Sequence, residues 1–285
     1  MAAPEPALRG ISDTAHWVAV YRAKETERPD ALFRDPYARR LAGERGDQLA
    51  GTTLATQEKN TWAFVVRTYL VDRMILRMVE EGTGAVLNLA AGLDARPYRL
   101  PLPPDLVWVE VDLPGIMDEK EAVLRDEQPV CRLERVRLDL SDTAARRGLF
   151  ERVGRAATRT LVLTEGLLVY LTRKENAALA RDLAAVPGFA HWILDIPSPG
   201  LLRMLQRQIG RHLGDAGAPL KFGPEEGPEF FVPHGWRPLE VRSMLREAAR
   251  VKRVSWFLRL LALLPHSNGR QGSRPWSGVC LMERA

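Results

Sequence analysis

Three acidic residues lie at or near the ends of separate apolar runs, at a spacing that could bind a nucleoside. Asp112 follows Gly92 by twenty residues, Asp139 closes a later run, and Glu165 lies within the next. In nucleotide-binding folds, a carboxylate at that distance from a glycine turn can reach both hydroxyl groups of a ribose. One such acid is more often a helix cap or a surface ion pair, but three in register with one turn indicate a nucleoside-bearing cofactor.

The turn that contains Gly92 argues against a pyrophosphate. Dinucleotide sites use the pattern GxGxxG, whose glycines let the backbone approach the phosphates at a helix N-terminus. Here the stretch VLNLAAGLDARPYRL, residues 86–100, has one glycine, and Asp94, Arg96 and Arg99 follow as candidates to contact a polar ligand. The sequence therefore disfavours an NAD-dependent dehydrogenase and favours S-adenosylmethionine, a cofactor without phosphate.

Short apolar runs alternate with helical stretches in the part of the chain that would position these residues. The runs cover residues 85–90, 106–112, 133–140, 160–171 and 191–197, and helical stretches such as 114–127 and 172–186 lie between them. This alternation predicts an α/β fold with a parallel, doubly wound sheet that is covered on both faces. Ligands bind such sheets at the carboxyl ends of the strands.

The flanking segments predict a division of one domain into four parts. Residues 1–82 form an N-terminal helical cap, with a helix start at Asp35-Pro36 and a helix that ends at Gly82. Residues 83–197 form the cofactor-binding core. Residues 198–235, rich in glycine and proline in their second half, form a substrate lid. Residues 236–285 add a helix over 238–251 and a last strand, GVCLMER.

Composition narrows the class of protein. The chain has 285 residues, 46% of them hydrophobic, which is ample for a core. Its two cysteines, Cys131 and Cys280, form no metal-binding or disulfide pattern. No signal peptide is evident, and the most apolar stretch, residues 256–265, is half the length of a membrane span and contains Arg259. We expect a cytoplasmic protein without a metal and without a membrane partner.

The net charge of +5 leaves a nucleic-acid-binding protein as an alternative. However, the 41 basic residues are interspersed with 36 acidic ones, and no RNA- or DNA-binding motif is visible. The sequence therefore predicts no nucleic-acid partner.

Six segments in chain order resemble the leucine carboxyl methyltransferase family, especially its bacterial branch of polyketide-type O-methyltransferases. They are RAKETERPDALFRDPYARRLAG, VVRTYLVDRMI, VLNLAAGLDARPYRL, VEVDLPGIMDEK, VRLDL and TEGLLVYLT. The resemblance spans roughly residues 12–197, with a looser match beyond. It implies a class I methyltransferase fold, which is Rossmann-like: a seven-stranded, mostly parallel sheet with an antiparallel last strand, helices on both faces and an N-terminal helical cap.

The resemblance also implies roles at the methionine end of the cofactor. Arg67 would pair with the methionine carboxylate, and Lys24 would be a second cation there, with Arg22 as its competitor. Gly92 would lie under the methionine moiety. Family members usually have glycine where this chain has Ala90 or its neighbour Ala91, so the cofactor turn is bulkier here. Alanine fits such a turn if its φ stays negative; otherwise a non-catalytic scaffold is the alternative.

The remaining roles that the resemblance implies lie along the rest of the cofactor. Asp112 would bind the ribose, and Asp139 with Leu140 would contact the adenine, whose exocyclic amine can donate to a carboxylate. Glu165 would lie beside the amino group or the sulfonium.

The prediction of the methyl acceptor rests on the lack of an evident general base in the sequence. None of the five histidines lies in a recognisable general-base arrangement, and a carboxylate acceptor needs no base because it is already ionised at neutral pH. We therefore expect methyl-ester formation on a small-molecule acid, such as a polyketide acid of natural-product metabolism. Methylation of a peptide or protein C-terminal carboxylate is the alternative. Catalytic residues and oligomeric state are not assigned.

Aromatic residues are candidates to line the pocket for this acid, although each could equally belong to the core. They are Trp17, Tyr21, Tyr98, Tyr170, Phe222, Phe230, Phe231 and Trp236, together with His16 on the first helix.

Overall fold

The computed structural model of the protein describes residues 12–50, 61–157, 159–264, 272 and 274–285. Within these ranges the chain forms a seven-stranded sheet of order β3-β2-β1-β4-β5-β7-β6. The strands are β1 (Ala85–Leu89), β2 (Val107–Asp112), β3 (Arg132–Arg137), β4 (Thr160–Thr164), β5 (Phe189–Pro197), β6 (Trp236–Ser243) and β7 (Ser277–Arg284). Strands β1 to β5 pair in parallel, and β7 is antiparallel to both of its neighbours. The predicted seven-stranded, mostly parallel sheet is therefore confirmed.

Helices cover both faces of the sheet. They are α1 (Asp13–Thr26), α2 (Ala38–Ala50), α3 (Thr61–Glu80), α4 (Arg96–Arg99), α5 (Pro114–Leu124), α6 (Thr143–Ala156), α7 (Arg173–Ala184), α8 (Pro199–Asp215), α9 (Met244–Arg250) and α10 (Trp256–Ala262). Short 3-10 helices occupy Leu168–Tyr170 and Gly227–His234. None of the described helices is both long and apolar enough to cross a membrane.

The burial of the central strands explains why they appear in the sequence as continuous apolar runs. Every residue of β1 and of β4 is buried, as expected for parallel strands with helices on both faces. One core cluster on the sheet includes Phe150 of α6 and Trp192 of β5, and another includes Met74 of α3 and Trp108 of β2. The chain leaves β1 towards β2 on one side and later returns to β4 on the other. This strand-order reversal places a switch point at the end of β1.

Polar caps fix where the helices after the strands begin. Asp142 accepts hydrogen bonds from two backbone N–H groups at the start of α6, and Ser198 accepts one at the start of α8. Thr172 and Glu175 form a reciprocal capping box on α7. These caps accept hydrogen bonds from backbone N–H groups that have no partner within the helix, and so define the residue at which each helix begins. The loops between strand and cap are the ones that surround the cavity described below.

One predicted element is wrong. Residues 238–251 were expected to form a single helix, but the first part belongs to strand β6 and only Met244–Arg250 is helical. The register of β6 against β7 shifts between Pro238 and Glu240, so Leu239 lies in an irregularity of an edge strand. Pro238 fits there because an edge strand tolerates a missing backbone donor. Pairing with β7 overrides the helical spacing of the apolar residues.

Candidate active site

A cavity of about 610 Å³ lies at the carboxyl ends of the parallel strands, beside the switch point. Its volume is typical of a small-molecule site. Most of the residues that the resemblance or the turn singles out line it together, among them Arg67, Ala90, Gly92, Asp112, Asp139, Leu140 and Glu165. The structure therefore brings residues from α3 and from the ends of four strands to one site, while their individual roles stay predictions.

Asp112 joins the end of β2 to the turn after β1. Its two carboxylate oxygens accept hydrogen bonds from the backbone N–H groups of Gly92, at 2.6 Å, and Leu113, at 2.7 Å. Burial raises the pKa of Asp112, and these two bonds oppose the rise. A carboxylate oxygen has more than one acceptor position, so each can still accept from a ligand hydroxyl. Asp112 is thus held in one orientation at the cavity wall.

The turn after β1 contains two residues in the left-handed region. Gly92 has a φ of 48°, and a Cβ built there would lie 3.2 Å from the Cβ of Ala15. Ala90 has a φ of 55°. The condition under which an alanine fits this turn, a negative φ, is therefore met by Ala91 and not by Ala90. Because the side chain crowds the backbone in this conformation, the turn stores local strain at Ala90.

Arg67 projects from α3 and pairs with two acids of the sheet. Its Nε lies 3.0 Å from Glu165 Oε1, and its Nη1 lies 3.3 Å from Asp195 Oδ2. Burial tends to raise the pKa of Glu165, but Arg96 and Arg67 together hold it below its usual value. Burial raises the pKa of Asp195 even though Arg67 opposes this change. A cation and two anions therefore face one part of the cavity.

Asp195 is a site residue that the sequence prediction missed. It lies on β5, lines the cavity and accepts a hydrogen bond of 2.6 Å from the N–H of Gly166. The available signal was an acid inside an otherwise apolar run, HWILDIP, which is the same signal that singled out Glu165. Such a residue is rarely buried without a partner.

Of the three charged residues that follow the turn, Asp94 and Arg96 line the cavity and Arg99 does not. Arg96 Nε lies 2.6 Å from Asp72 Oδ1, and its two other nitrogens lie 2.8 Å from Asp94 and from Glu165. Arg99 pairs with both oxygens of Asp72. These charged side chains neutralise one another at and behind the cavity wall. Their network fixes Glu165 in place, and whether Asp94 or Arg96 also contacts a ligand stays a prediction.

Lys24 does not reach the cavity. It is exposed, whereas Arg22 is buried, lines the cavity and donates to Asp35 at 2.8 Å and to the carbonyl of Leu93 at 2.6 Å. Two residues along a helix turn the side chain by about 200°, so these two cations point in opposite directions. The prediction of Lys24 as a site cation is therefore wrong, and its competitor Arg22 occupies the wall.

The loop after β3 closes the opposite end of the cavity. Asp139 accepts a hydrogen bond of 2.8 Å from the N–H of Ser141, and this bond lowers the pKa of its carboxyl group. The carbonyl of Leu140 accepts from Arg146 Nη1 at 2.7 Å, and Arg146 in turn pairs with Asp182 of α7. Helices α6 and α7 therefore hold Asp139 and Leu140 at the rim.

The remaining wall is apolar and comes from helices. Helix α8 contributes residues three and four positions apart, which share one face of a helix: Leu201, Met204, Leu205 and Ile209. Trp17 of α1 and Phe64 of α3, with ring centroids 5.4 Å apart, belong to the same apolar cluster as this face of α8. Tyr170 also lines this part. The predicted lid segment thus reaches the cavity mainly through α8, and its glycine-rich loop adds Leu220.

Several candidate pocket residues lie elsewhere. The aromatic residues of the predicted lid pack with Trp192 in the core: Phe222, Phe230, Phe231 and Trp236. Tyr98 accepts a hydrogen bond from Arg135, and His16 bonds the carbonyl of Ala42. Among the residues that the structure describes, no histidine, cysteine or lysine lines the cavity, and no cluster of possible metal ligands is present.

Comparisons with known proteins agree with this architecture. The sequence profile of the leucine carboxyl methyltransferase family matches residues 15–184. A protein of Parafrankia sp. (strain EAN1pec) is 35% identical over 82% of this chain and 79% of its own length, and it is named as an S-adenosyl-L-methionine-dependent methyltransferase. A protein of Frankia alni with the same name is 32% identical over 86% of this chain and 89% of its own.

Two solved structures share the fold at low identity. One is a DUF574 family protein from Streptomyces avermitilis, with a TM-score of 0.61, 13% identity and coverage of 95% of this chain and 97% of that one. The other, described as a methyltransferase from Thermobifida fusca, has a TM-score of 0.60, 15% identity and coverage of 100% and 99%. The predicted class I methyltransferase fold is confirmed. Because the family match extends over more than half of its length, this chain belongs to the leucine carboxyl methyltransferase family.

Proposed function

We propose that this protein is an S-adenosylmethionine-dependent O-methyltransferase that forms a methyl ester on the carboxylate of a small apolar acid, such as a polyketide acid. The observation that carries the proposal is the division of its cavity. One half is polar and lies at the strand ends, and the other half is apolar and lies under α8. A cytoplasmic location and the absence of a nucleic-acid partner stay predictions from the sequence.

The polar half fits S-adenosylmethionine. Asp112 is already oriented by two backbone N–H groups and offers acceptors for ribose hydroxyls. Glu165 and Asp195 offer negative charge to a cationic amino group or sulfonium. Arg67 has five N–H donors and uses only two nitrogens on these acids, so donors remain for a carboxylate. When bound, this cofactor supplies an electrophilic methyl group.

The apolar half fits an acid rather than an alcohol. A carboxylate is already a nucleophile at neutral pH, whereas an alcohol or phenol must lose its proton to a base. No histidine, cysteine or lysine of the described chain lines the cavity, and its acids are engaged by N–H groups or arginines near the proposed cofactor half. The face of α8 and the Trp17–Phe64 pair would bury the body of the acceptor and exclude water.

The decisive measurement is the chemical nature of the product. The protein would be incubated with methyl-labelled S-adenosylmethionine and with matched acceptors: an apolar aromatic acid, its primary amide, its alcohol and the corresponding phenol. We expect label to transfer to the acid alone and to be released as methanol by mild alkali, because esters hydrolyse there and ethers do not. Label that survives alkali on the phenol would contradict carboxyl methylation. Transfer to a peptide acid but not to small acids would favour the alternative acceptor.

The same assay should depend on the polar half. Asp112→Asn keeps the shape of the side chain but removes its charge, and we expect S-adenosylhomocysteine to bind roughly tenfold or more weakly, as for loss of a hydrogen bond to a charged group. Asp118→Asn changes an exposed carboxylate on α5 outside the cavity and serves as the control. Equal calorimetric affinities for both variants would place the cofactor elsewhere.

A further inference from the structure

Helix α10 exposes an apolar face to solvent. Among the described residues ten large hydrophobic side chains are exposed, and six of them lie within nine residues: Trp256, Phe257, Leu260, Leu261, Leu263 and Leu264. We call these six the α10 face. Trp256 is 73% exposed and Leu263 is 77% exposed. Exposed apolar side chains are common singly, but a contiguous group marks an interaction surface.

The helix itself is firmly attached, with its apolar face turned outward. Leu258 packs against the core cluster on the α3 side of the sheet, and Ala262 is buried. These two positions lie on the side of the helix opposite to Trp256, Phe257 and Leu260, because each residue turns the side chain by about 100°. Arg246 of α9 donates to the carbonyls of Ala262, at 3.3 Å, and Leu264, at 3.2 Å.

Positive charge is concentrated beside this face. Residues 242–264 contain six basic residues and one acidic residue, an excess of five. The whole chain has the same excess, so the rest of the sequence is balanced. Arg242, Arg250 and Arg253 pair with carboxylates. For the other three, Arg246, Lys252 and Arg259, the structure shows no ion pair within the part of the chain that it describes, and all three are exposed.

We propose that the α10 face docks on the surface of an anionic lipid bilayer. A short helix with tryptophan, phenylalanine and leucine on one side and flanking basic residues lies in the interface between headgroups and acyl chains. Basic side chains near that surface are attracted by anionic headgroups. The helix is too short to span a bilayer, so the proposal concerns binding to the membrane surface. It replaces the expectation from the sequence that the protein has no membrane partner.

A bilayer suits this surface better than a second copy of the chain does. Two copies that buried their α10 faces against each other would bring Arg246, Lys252 and Arg259 of one copy near the like charges of the other, which is unfavourable. An anionic bilayer compensates these charges and accepts the apolar side chains at the same time. The positive charge of residues 242–264 therefore favours an anionic bilayer over a second copy of the chain as the partner of the α10 face.

The test is co-sedimentation of the purified protein with lipid vesicles. We expect binding to phosphatidylcholine vesicles that contain phosphatidylglycerol, at least tenfold weaker binding to phosphatidylcholine alone, and weakening by salt, because screening acts on exposed charges. Trp256→Ser/Phe257→Ser and Lys252→Glu/Arg259→Glu should each reduce binding to the anionic vesicles at least tenfold. Unchanged affinity for S-adenosylhomocysteine would show that the variants are folded.

Matched controls carry the same changes elsewhere on the surface. Val130→Ser/Val232→Ser removes exposed apolar side chains, and Arg125→Glu/Arg155→Glu reverses exposed charges. We expect both to bind vesicles like the wild type. The proposal is overturned if the wild-type protein does not bind anionic vesicles, or if the control variants lose as much vesicle binding as the α10 variants. If sedimentation velocity shows a dimer that Trp256→Ser/Phe257→Ser dissociates, with no vesicle binding, the occupant is a second copy instead.

Discussion

Ala90 adopts a backbone conformation that costs an L-residue about 1 kcal/mol or more relative to glycine. Ala90→Gly removes this strain but gives the unfolded chain more freedom, so we expect a net gain of up to about 1 kcal/mol in unfolding free energy. Urea denaturation monitored by circular dichroism measures it. Ala91→Gly is the control, because Ala91 has no positive φ and the substitution should destabilise by about 0.5–1 kcal/mol. The same sign for both variants would contradict strain at Ala90.

Some residues of the site can be predicted from the sequence and others cannot. Gly92 and Asp112 are visible from their spacing alone, because the turn and the strand end belong to adjacent parallel strands. Arg96 is not interpretable from its neighbours, since its partner Asp72 lies 24 residues away on α3. Whether an arginine is a ligand contact or an internal ion pair depends on which carboxylates the fold brings to it. Those contacts are set by the tertiary structure and are not visible in the local sequence.

Among the elements, helix α5 is held on the sheet by a buried ion pair. Lys120 Nζ lies 2.7 Å from Glu110 Oε1, both side chains are fully buried, and Arg135 contacts the other oxygen of Glu110 at 3.1 Å. Burial raises the pKa of Glu110, and Lys120 and Arg135 oppose this rise. Glu110 therefore relies on both cations to stay charged inside the protein.

Lys120→Met should destabilise the protein by about 3–5 kcal/mol, because it leaves a buried carboxylate undercompensated. The loss should shrink as the pH is lowered, since protonated Glu110 no longer needs a cation. Denaturant titrations over a pH series measure both effects. Arg137→Met is the control: Arg137 lies on β3, its partner Asp118 on α5 is 62% exposed, and a loss below about 1 kcal/mol is expected. Equal losses in the two variants would argue against a special role for the buried pair.

Strands were more predictable than the segments that connect them. The five parallel strands follow from apolar runs between helical stretches, because burial on both faces leaves little choice of residue. Strand β6 was not predicted because many of its residues are exposed and because β7, its one pairing partner among the described strands, lies more than thirty residues later in the chain. Local spacing favours a helix, because Val241, Met244, Leu245 and Ala248 lie three, four and seven residues apart. Non-local hydrogen bonding decides otherwise.

At the scale of the whole molecule, the charged network at and behind the cavity wall makes stability depend on pH. Burial alone would raise the pKa of Asp94, but Arg96, Lys120 and Arg99 lower it from 3.8 to about 2. A carboxyl group with a lowered pKa stabilises the folded state above its unfolded pKa, and this contribution is lost as the pH falls towards the folded value. The stabilisation that Asp94 contributes is therefore present in full at neutral pH and is lost only as the pH falls from about 4 towards 2.

We expect Asp94→Asn to lower the unfolding free energy at neutral pH by about 2 kcal/mol, the equivalent of the pKa shift. The gap between variant and wild type should narrow as the pH falls from about 4 towards 2, where wild-type Asp94 becomes protonated. Urea midpoints across this range give the comparison. Asp118→Asn, at an exposed position, should show a much smaller gap. A gap for Asp94→Asn that stays constant with pH would mean that its charge is not the cause.

The position of β7 between β5 and β6 has a consequence for biosynthesis. Of the seven strands it is made last, yet it pairs with both neighbours along its length. While the chain is being translated, β5 has an open edge and β6 has no partner, although the parallel strands and the polar half of the cavity have already emerged. Open strand edges invite pairing with other chains. The nascent protein therefore passes through an aggregation-sensitive interval that ends only when β7 leaves the ribosome.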